Sequence, residues 1–478
     1  MNNLISRIIL ISFLPFCLVF GATAHAAERA HVPLPKPDEL KYRPIHFAPP
    51  RAERVLLDNG IVLYIFEDNE LPLLSISAVV RTGSNYDPIG KEGLAELTGT
   101  VMRTGGTDAL TGDAVDEALD FFAGSLHISM NRDSGLINLS ILKKDLDDGL
   151  NIFSQIITKP AFEENKLKLA KNLLIEELRR TADDPKKLAF REFKRVLYRD
   201  NPAGGFPSMK SVSMITRADL IEFHRRFFYP ENTIISITGA ISKEEAVAKV
   251  KQYLVSWNAS PTYNIPPPIP AMQKGRIYFL KKNTPQSIII CANFAPSKKD
   301  QDAYPFHVLD FIVGSGGFKS RIFQEIRNNR GLAYSAGSFY TARSDYGVFG
   351  AYAMTKSAST ATVLSLLRSI VADVKTKTVD KKELAWATKS INNNFIFSFQ
   401  SADQIARQQL MLEYDKLPPN YLDTYRDKIA AVQAGELTKM AVKYLSADET
   451  VTFILGNEDA YVEALAAFGD VSLVEEQL

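Results

Sequence analysis

The sequence predicts an α+β fold made of two homologous halves, each a largely antiparallel or mixed sheet with helices packed on one face, joined by a Pro-rich linker. Three observations lead there. Segments 49–258 and 275–478 run through the same order of strand-like and helix-like patterns. Between them, residues 259–274 include Pro261, Pro266, Pro267, Pro268 and Pro270, a composition that sustains neither a helix nor a central strand. The strand-like runs also arrive in hairpin-like pairs instead of alternating one by one with helices, which favours an antiparallel or mixed sheet.

The elements follow in order. In the first half, strand-like stretches bracket Asp58-Asn59-Gly60, whose Asn-Gly suits a tight hairpin turn, and Leu73 to Val80 is the next β-rich run. Arg276 to Lys281 and Ser287 to Phe294 hold the same places in the second half. Ser75 and Ser287 share one spacing with Gly135 and Gly347, and each of these glycines opens a strand that leads into a helix. Glu231 and Asp448 introduce the last matched strands at a slightly larger spacing, so a short insertion separates the early and late parts of the repeat. Ser242 and Glu245 form a capping-box pattern ahead of Ala246 to Trp257, and apolar residues recur at helical spacing over Leu146 to Ile157.

Composition narrows the function classes. The 478 residues are 46% hydrophobic, enough to bury a sizeable core in two or more domains. With 56 Lys+Arg against 55 Asp+Glu the formal net charge is +1, which removes the bulk electrostatic case for a nucleic-acid partner. Residues 1–26 read as a secretory signal peptide: one charge at Arg7, an apolar run from Ile8 to Phe20 too short to span a bilayer, and Ala24-His25-Ala26 as the cleavage pattern. The bulky Phe16 before Cys17 argues against lipid attachment there. Cleavage after Ala26 leaves Cys291 as the single cysteine, read as a small buried hydrophobe, and no membrane span follows. The expected location is the periplasm.

The motif that carries most information is Gly93-Leu94-Ala95-Glu96-Leu97-Thr98-Gly99-Thr100-Val101-Met102, followed by Gly105-Gly106-Thr107. It resembles the zinc-site helix of the insulinase/pitrilysin metallopeptidases, in which a Gly-Leu-Ala lead-in runs into His-x-x-Glu-His. That chemistry needs two imidazoles at i and i+4 on one helical face, with a carboxylate just before the second to activate water. Here Glu96, Gly99 and Thr100 occupy those positions, so both histidines and the general base are replaced. The resemblance places the family's third ligand at Glu177, in Leu174-Ile175-Glu176-Glu177-Leu178 ahead of Asp183-Asp184-Pro185. Glu96 and Glu177 are read as remnants, hydrogen-bonded or solvated. Outside the signal peptide the histidines are His31, His46, His127, His224 and His307, none close enough in sequence to another to form a helical zinc pair, and His224 is read as packed on a helix.

The second half keeps its motif. Gly314-Ser315-Gly316-Gly317-Phe318-Lys319-Ser320-Arg321, followed by Ile326-Arg327-Asn328-Asn329-Arg330-Gly331-Leu332-Ala333-Tyr334-Ser335, resembles the C-terminal-half signature of the same family. The resemblance implies that Arg330 and Tyr334 grip substrate backbone and polarise the scissile carbonyl, since a fixed guanidinium and phenol can donate to a developing oxyanion. Gly331 is expected to end the preceding helix in the left-handed conformation. A phosphate-loop reading of the glycines fails, because Phe318 stands where the loop needs its last glycine.

Together these features imply a non-catalytic subunit of a periplasmic insulinase-type zinc peptidase complex. No cofactor is expected in this chain, and zinc is expected in a homologous partner subunit, within a heterodimer or heterotetramer that acts on peptides. Two alternatives stay open: a catalytically dead homodimer that binds peptides or scaffolds an envelope complex, and an autonomous peptidase with an atypical site built from Glu96, Glu177 and a distant histidine.

Overall fold

The first sheet comprises β1 (Glu53–Leu56), β2 (Val62–Glu67), β3 (Leu73–Arg81), β4 (Ser125–Met130), β5 (Ser134–Leu142) and β6 (Thr233–Gly239), in the order β1-β2-β6-β3-β5-β4. The second comprises β7 (Ile277–Lys281), β8 (Gln286–Ala295), β9 (Ala333–Ala342), β10 (Gly347–Lys356), β11 (Val451–Gly456) and β12 (Val471–Val474), in the order β12-β7-β11-β8-β10-β9. The computed structural model describes residues 46–258, 267–271, 275–457 and 465–477; the signal peptide assigned to 1–26 and most of the linker assigned to 259–274 lie outside the described residues.

Both sheets are mixed. The order β2-β6-β3-β5-β4 is repeated as β7-β11-β8-β10-β9, with β2 parallel to β6 and β7 parallel to β11. The edges beyond differ, since β1 pairs antiparallel with β2 whereas β12 pairs parallel with β7. The turn at Asn59-Gly60 joins β1 to β2 as the sequence predicts, with Gly60 at φ 92°. The next pair departs from the hairpin expectation: β6 returns from late in the half to lie between β2 and β3, as β11 does between β7 and β8.

The spacing shared by Ser75 and Ser287 is also corrected. The hydroxyl of Ser75 meets Asp403 on the outer side of the first sheet, whereas Ser287 is fully buried on the inner side of the second, where it accepts from Thr360. Side chains alternate along a strand, so a one-residue displacement of the repeat moves a residue to the opposite face.

Helices α1 (Leu94–Thr104), α2 (Gly112–Phe121), α3 (Leu146–Thr158), α4 (Glu164–Asp183), α5 (Pro185–Leu197), α6 (Met209–Met214), α7 (Arg217–Phe227) and α8 (Lys243–Leu254) belong to the first half. The second half adds α9 (Ala303–Asp310), α10 (Thr360–Thr376), α11 (Lys381–Ile396), α12 (Ala402–Asp415), α13 (Tyr421–Ala431) and α14 (Ala434–Tyr444). One core joins Ile76, Leu139 and Ile237 of the first sheet to Val101, Phe153, Phe227 and Val250 of its helices. Its counterpart joins Phe279, Ile289 and Ala351 to Phe306, Leu364 and Leu437.

The other face of each sheet is covered by a helix from the opposite half. Leu188, Phe193 and Leu197 of α5 pack with Tyr278, Ile290 and Phe453 of the second sheet. Ala406 and Leu410 of α12 pack with Tyr64, Val79 and Ile234 of the first. Polar contacts fix the second exchange. Arg54 donates two bonds of 2.9 Å to the carboxylate of Glu413, the Tyr64 hydroxyl donates to the same group at 3.0 Å, and Arg81 donates to the carbonyls of Glu413 and Tyr414.

This packing makes the halves one cooperative body. Phe193→Ala and Leu410→Ala should each lower the unfolding free energy by about 2–5 kcal/mol, with a single urea transition retained by far-UV circular dichroism and tryptophan fluorescence. Separate transitions for the two sheets would contradict the exchange.

Candidate functional site

The segment that resembles a zinc-site helix is α1, and its start is built by a residue outside it. Gly93 sits at φ 103°, a conformation open to glycine, and the Asp87 carboxylate accepts from the backbone N–H groups of Gly93 and Ala95, both at 2.8 Å. Burial pushes the Asp87 carboxyl up to about 7, against the opposing pull of those two bonds.

Glu96 follows one turn in and is half-buried. Burial, and secondarily the neighbouring carboxylate of Glu177 on α4, raises its pKa. The carboxylates of Glu96 and Glu177 thus lie near enough to repel one another. Glu177 itself is exposed, and so is Thr100.

Gly99, at the position of the general base, is buried against β4. A Cβ there would lie 2.6 Å from Cγ of Met130 and 3.3 Å from Ile128. Met130 also reaches Gly135 on β5, where an added Cβ would lie 2.9 Å from its sulfur. The methionine is wedged between two glycines and fills the room that a carboxylate at position 99 would need. These residues do not fit a zinc ion: two carboxylates, a hydroxyl and a thioether-packed glycine stand in place of an imidazole pair and a base. Among the described residues no cluster of three or more His, Cys, Asp or Glu side chains could hold a metal.

Two of the histidines, His224 and His307, serve packing. His224 Nε2 pairs with the carbonyl of Ile157 at 2.8 Å, and its ring stacks on Phe228 with centroids 4.8 Å apart. His307 Nδ1 pairs with the Tyr425 hydroxyl at 2.9 Å. Burial lowers both to about 4, so each is a neutral, tied imidazole at neutral pH.

Arg330 and Tyr334 present a different picture. The segment Phe323–Asn329 is a π-helix, a wide turn often found at functional sites, in place of the regular helix expected from the sequence. Gly331 ends it at φ 63°, its N–H donating to Arg327 and that of Leu332 to Ile326. Arg330 is exposed, and its Nε donates to Glu325 at 2.6 Å, leaving both terminal nitrogens for another acceptor. Tyr334, near the start of edge strand β9, is 81% exposed.

Arg327 supports that tyrosine from below, its guanidinium lying 4.7 Å from the Tyr334 ring centre and 4.8 Å from that of Phe323. A cavity of about 330 Å³ opens beside Tyr334, lined wholly by residues between 314 and 352. Neither Glu96 nor Glu177 lines it. Sequence reasoning missed Met130, Asp87 and Arg327. Asp87 and Arg327 lie beside or inside the motifs, whereas Met130 is linked to Gly99 only through the fold.

Comparison with known proteins identifies two matching family profiles. A family profile described as "Insulinase (Peptidase family M16)" matches residues 65–206, and one described as "Peptidase M16 inactive domain" matches residues 214–390. An uncharacterized zinc protease from Rickettsia felis is 23% identical over 414 residues, covering 84% of this chain and 97% of the relative. Among solved structures, a peptidase M16 inactive domain from Pseudomonas fluorescens superposes with a TM-score of 0.78 at 23% identity, covering 85% of this chain and 98% of that one. The periplasmic protease PqqL from Escherichia coli gives a TM-score of 0.73 at 15% identity, over 86% of this chain and 46% of that one.

Two outcomes test the site geometry. Gly99→Ala should destabilise the chain by about 1–3 kcal/mol through overpacking, and Met130→Ala in the same chain should recover part of the loss; additive losses in urea unfolding would contradict the wedge. For Asp87, the folded chain holds a proton up to about 7 that the unfolded chain releases near 3.8, so stability falls as pH rises through that window. Asp87→Asn should flatten this fall, and an unchanged pH slope would place its origin elsewhere.

Proposed function

Because the chain belongs to the insulinase (M16) family of peptidases, we propose that it is the zinc-free subunit of a peptide-hydrolysing complex and supplies Arg330 and Tyr334 to a zinc-bearing homologous partner. The observation that carries this reading is the contrast between the two motifs. Position 99 is closed by Met130, while Arg330 and Tyr334 stand exposed on a supported turn.

The chain's own residues have plain tasks in such a complex. The terminal nitrogens of Arg330 donate to the main-chain carbonyl of an extended peptide, while the bond from Nε to Glu325 fixes the plane of the guanidinium. The Tyr334 hydroxyl donates to the carbonyl oxygen as negative charge gathers there, and Arg327 beneath the ring holds its orientation. Glu96 and Glu177 bind no metal in this scheme. The partner is a homologous subunit in a heterodimer or heterotetramer, the substrates are peptides, and the compartment is the periplasm, reached through cleavage after Ala26. Support for that compartment comes from the leader pattern; no helix among the described residues is long and apolar enough to cross a membrane.

Arg330→Ala should lower peptide cleavage by the reconstituted complex about 10²-fold while the zinc content of the partner stays unchanged. Tyr334→Phe, which removes only the hydroxyl, should act in the same direction. An unaltered rate in both variants would end the case for donation in trans.

A further inference from the structure

A cluster of main-chain contacts far along the chain from Arg330 lies on helix α5. Beyond β12, residues 475–477 run across this helix. Arg195 Nη2 donates to the carbonyl of Glu475 at 3.0 Å, and Arg191 Nη2 donates to that of Gln477 at 2.7 Å. Between these two contacts the carboxylate of Glu476 pairs with Lys282 at 3.0 Å. The spacing matches an extended main chain: two arginines one helical turn apart are about 6 Å apart along the helix, and carbonyls two residues apart in an extended chain are separated by about 6.6 Å.

The fit is incomplete. Arg191 has a side chain only 9% exposed, yet its Nη1 has no hydrogen-bond partner, and Oε1 of Glu476 is likewise buried and unpaired. Buried polar atoms without partners weaken the contact that buries them. Beside this segment lies a cavity of about 860 Å³ between the halves, with Tyr198, Phe206 and Tyr278 among its walls.

We propose that this groove is a peptide-binding site that reads an extended main chain through Arg191 and Arg195 and one acidic side chain through Lys282, with residues 475–477 as its displaceable internal occupant. The ligand class is an acidic peptide in extended conformation, whose side chains enter the adjoining cavity. The site is independent of the role given to Arg330 and Tyr334, and cleavage is not required for it.

The test is fluorescence anisotropy of a labelled hexapeptide with the sequence of Ser472 to Gln477, titrated with the full mature chain. Glu476→Gln loosens the internal segment and leaves Lys282 free, so it should bind the probe about three- to tenfold more tightly than the parent. A probe carrying Gln in place of its second Glu should lose that gain, and Arg195→Gln in the Glu476→Gln chain should weaken binding as well. The altered probe needs no further change to the protein, so the result stands even where the arginine variant fails to fold. No measurable binding, equal affinity of parent and Glu476→Gln, or equal affinity for the two probes would each overturn the proposal.

Discussion

Helix α5 lies on the sheet of the second half and α12 on the sheet of the first, and this reciprocal exchange governs most of what the structure does. A sheet with helices on one side alone would leave Tyr64, Val79 and Ile234, or Tyr278, Ile290 and Phe453, facing water. Covering both faces explains why β6 and β11 are buried along nearly their whole length and why β8 reads as a continuous apolar run. By contrast β4, at the edge, alternates between exposed and covered positions. The exchange also sets a wall of the cavity between the halves, because α5 carries Arg191 and Arg195 to the second sheet. Asp184 caps α5 by accepting from the N–H groups of Lys186 and Lys187, and the Pro185 that follows is suited to a first helical turn.

A departure from the family's zinc motif has a structural side as well as a chemical one. Replacing a histidine leaves a missing ligand; replacing the general base with glycine lets a neighbour move in. Met130 takes that space, held between Gly99 and Gly135, so restoring a single side chain at position 99 would have to displace a packed residue. The helix itself persists because Asp87 still caps it and because Leu97, Val101 and Met102 are anchored in the core. The residues that shape α1 are thus distinct from those at the family's zinc-ligand positions. Around Arg330 and Tyr334, by contrast, Gly331, Arg327 and Glu325 are all arranged about two exposed side chains.

Much of this was legible in the sequence, and the gaps have physical reasons. The turn at Asn59-Gly60, the strands opened by Gly135 and Gly347, the packed His224 and the left-handed Gly331 follow from local rules that need no tertiary knowledge. Placing β6 between β2 and β3 was not legible, because it depends on a pairing across most of the half. The match of Ser75 with Ser287 failed because identity at equal spacing says nothing of which face a strand residue occupies. Likewise nothing local in the sequence of α5 or α12 reveals that their apolar faces meet the other half. Met130 above Gly99 belongs to the same class: the two are distant in sequence, and only the packing of α1 on β4 joins them.

Whether this chain holds a metal of its own decides between a donor subunit and an autonomous enzyme. Zinc stoichiometry of the purified mature chain, measured by elemental mass spectrometry after dialysis against a weak chelator, addresses that directly. Two carboxylates without an imidazole, beside a glycine closed over by methionine, predict a value near zero. A value near one zinc per chain would contradict the account, since Glu96 and Glu177 would then have gained a further ligand and the chain would be a metalloenzyme in its own right.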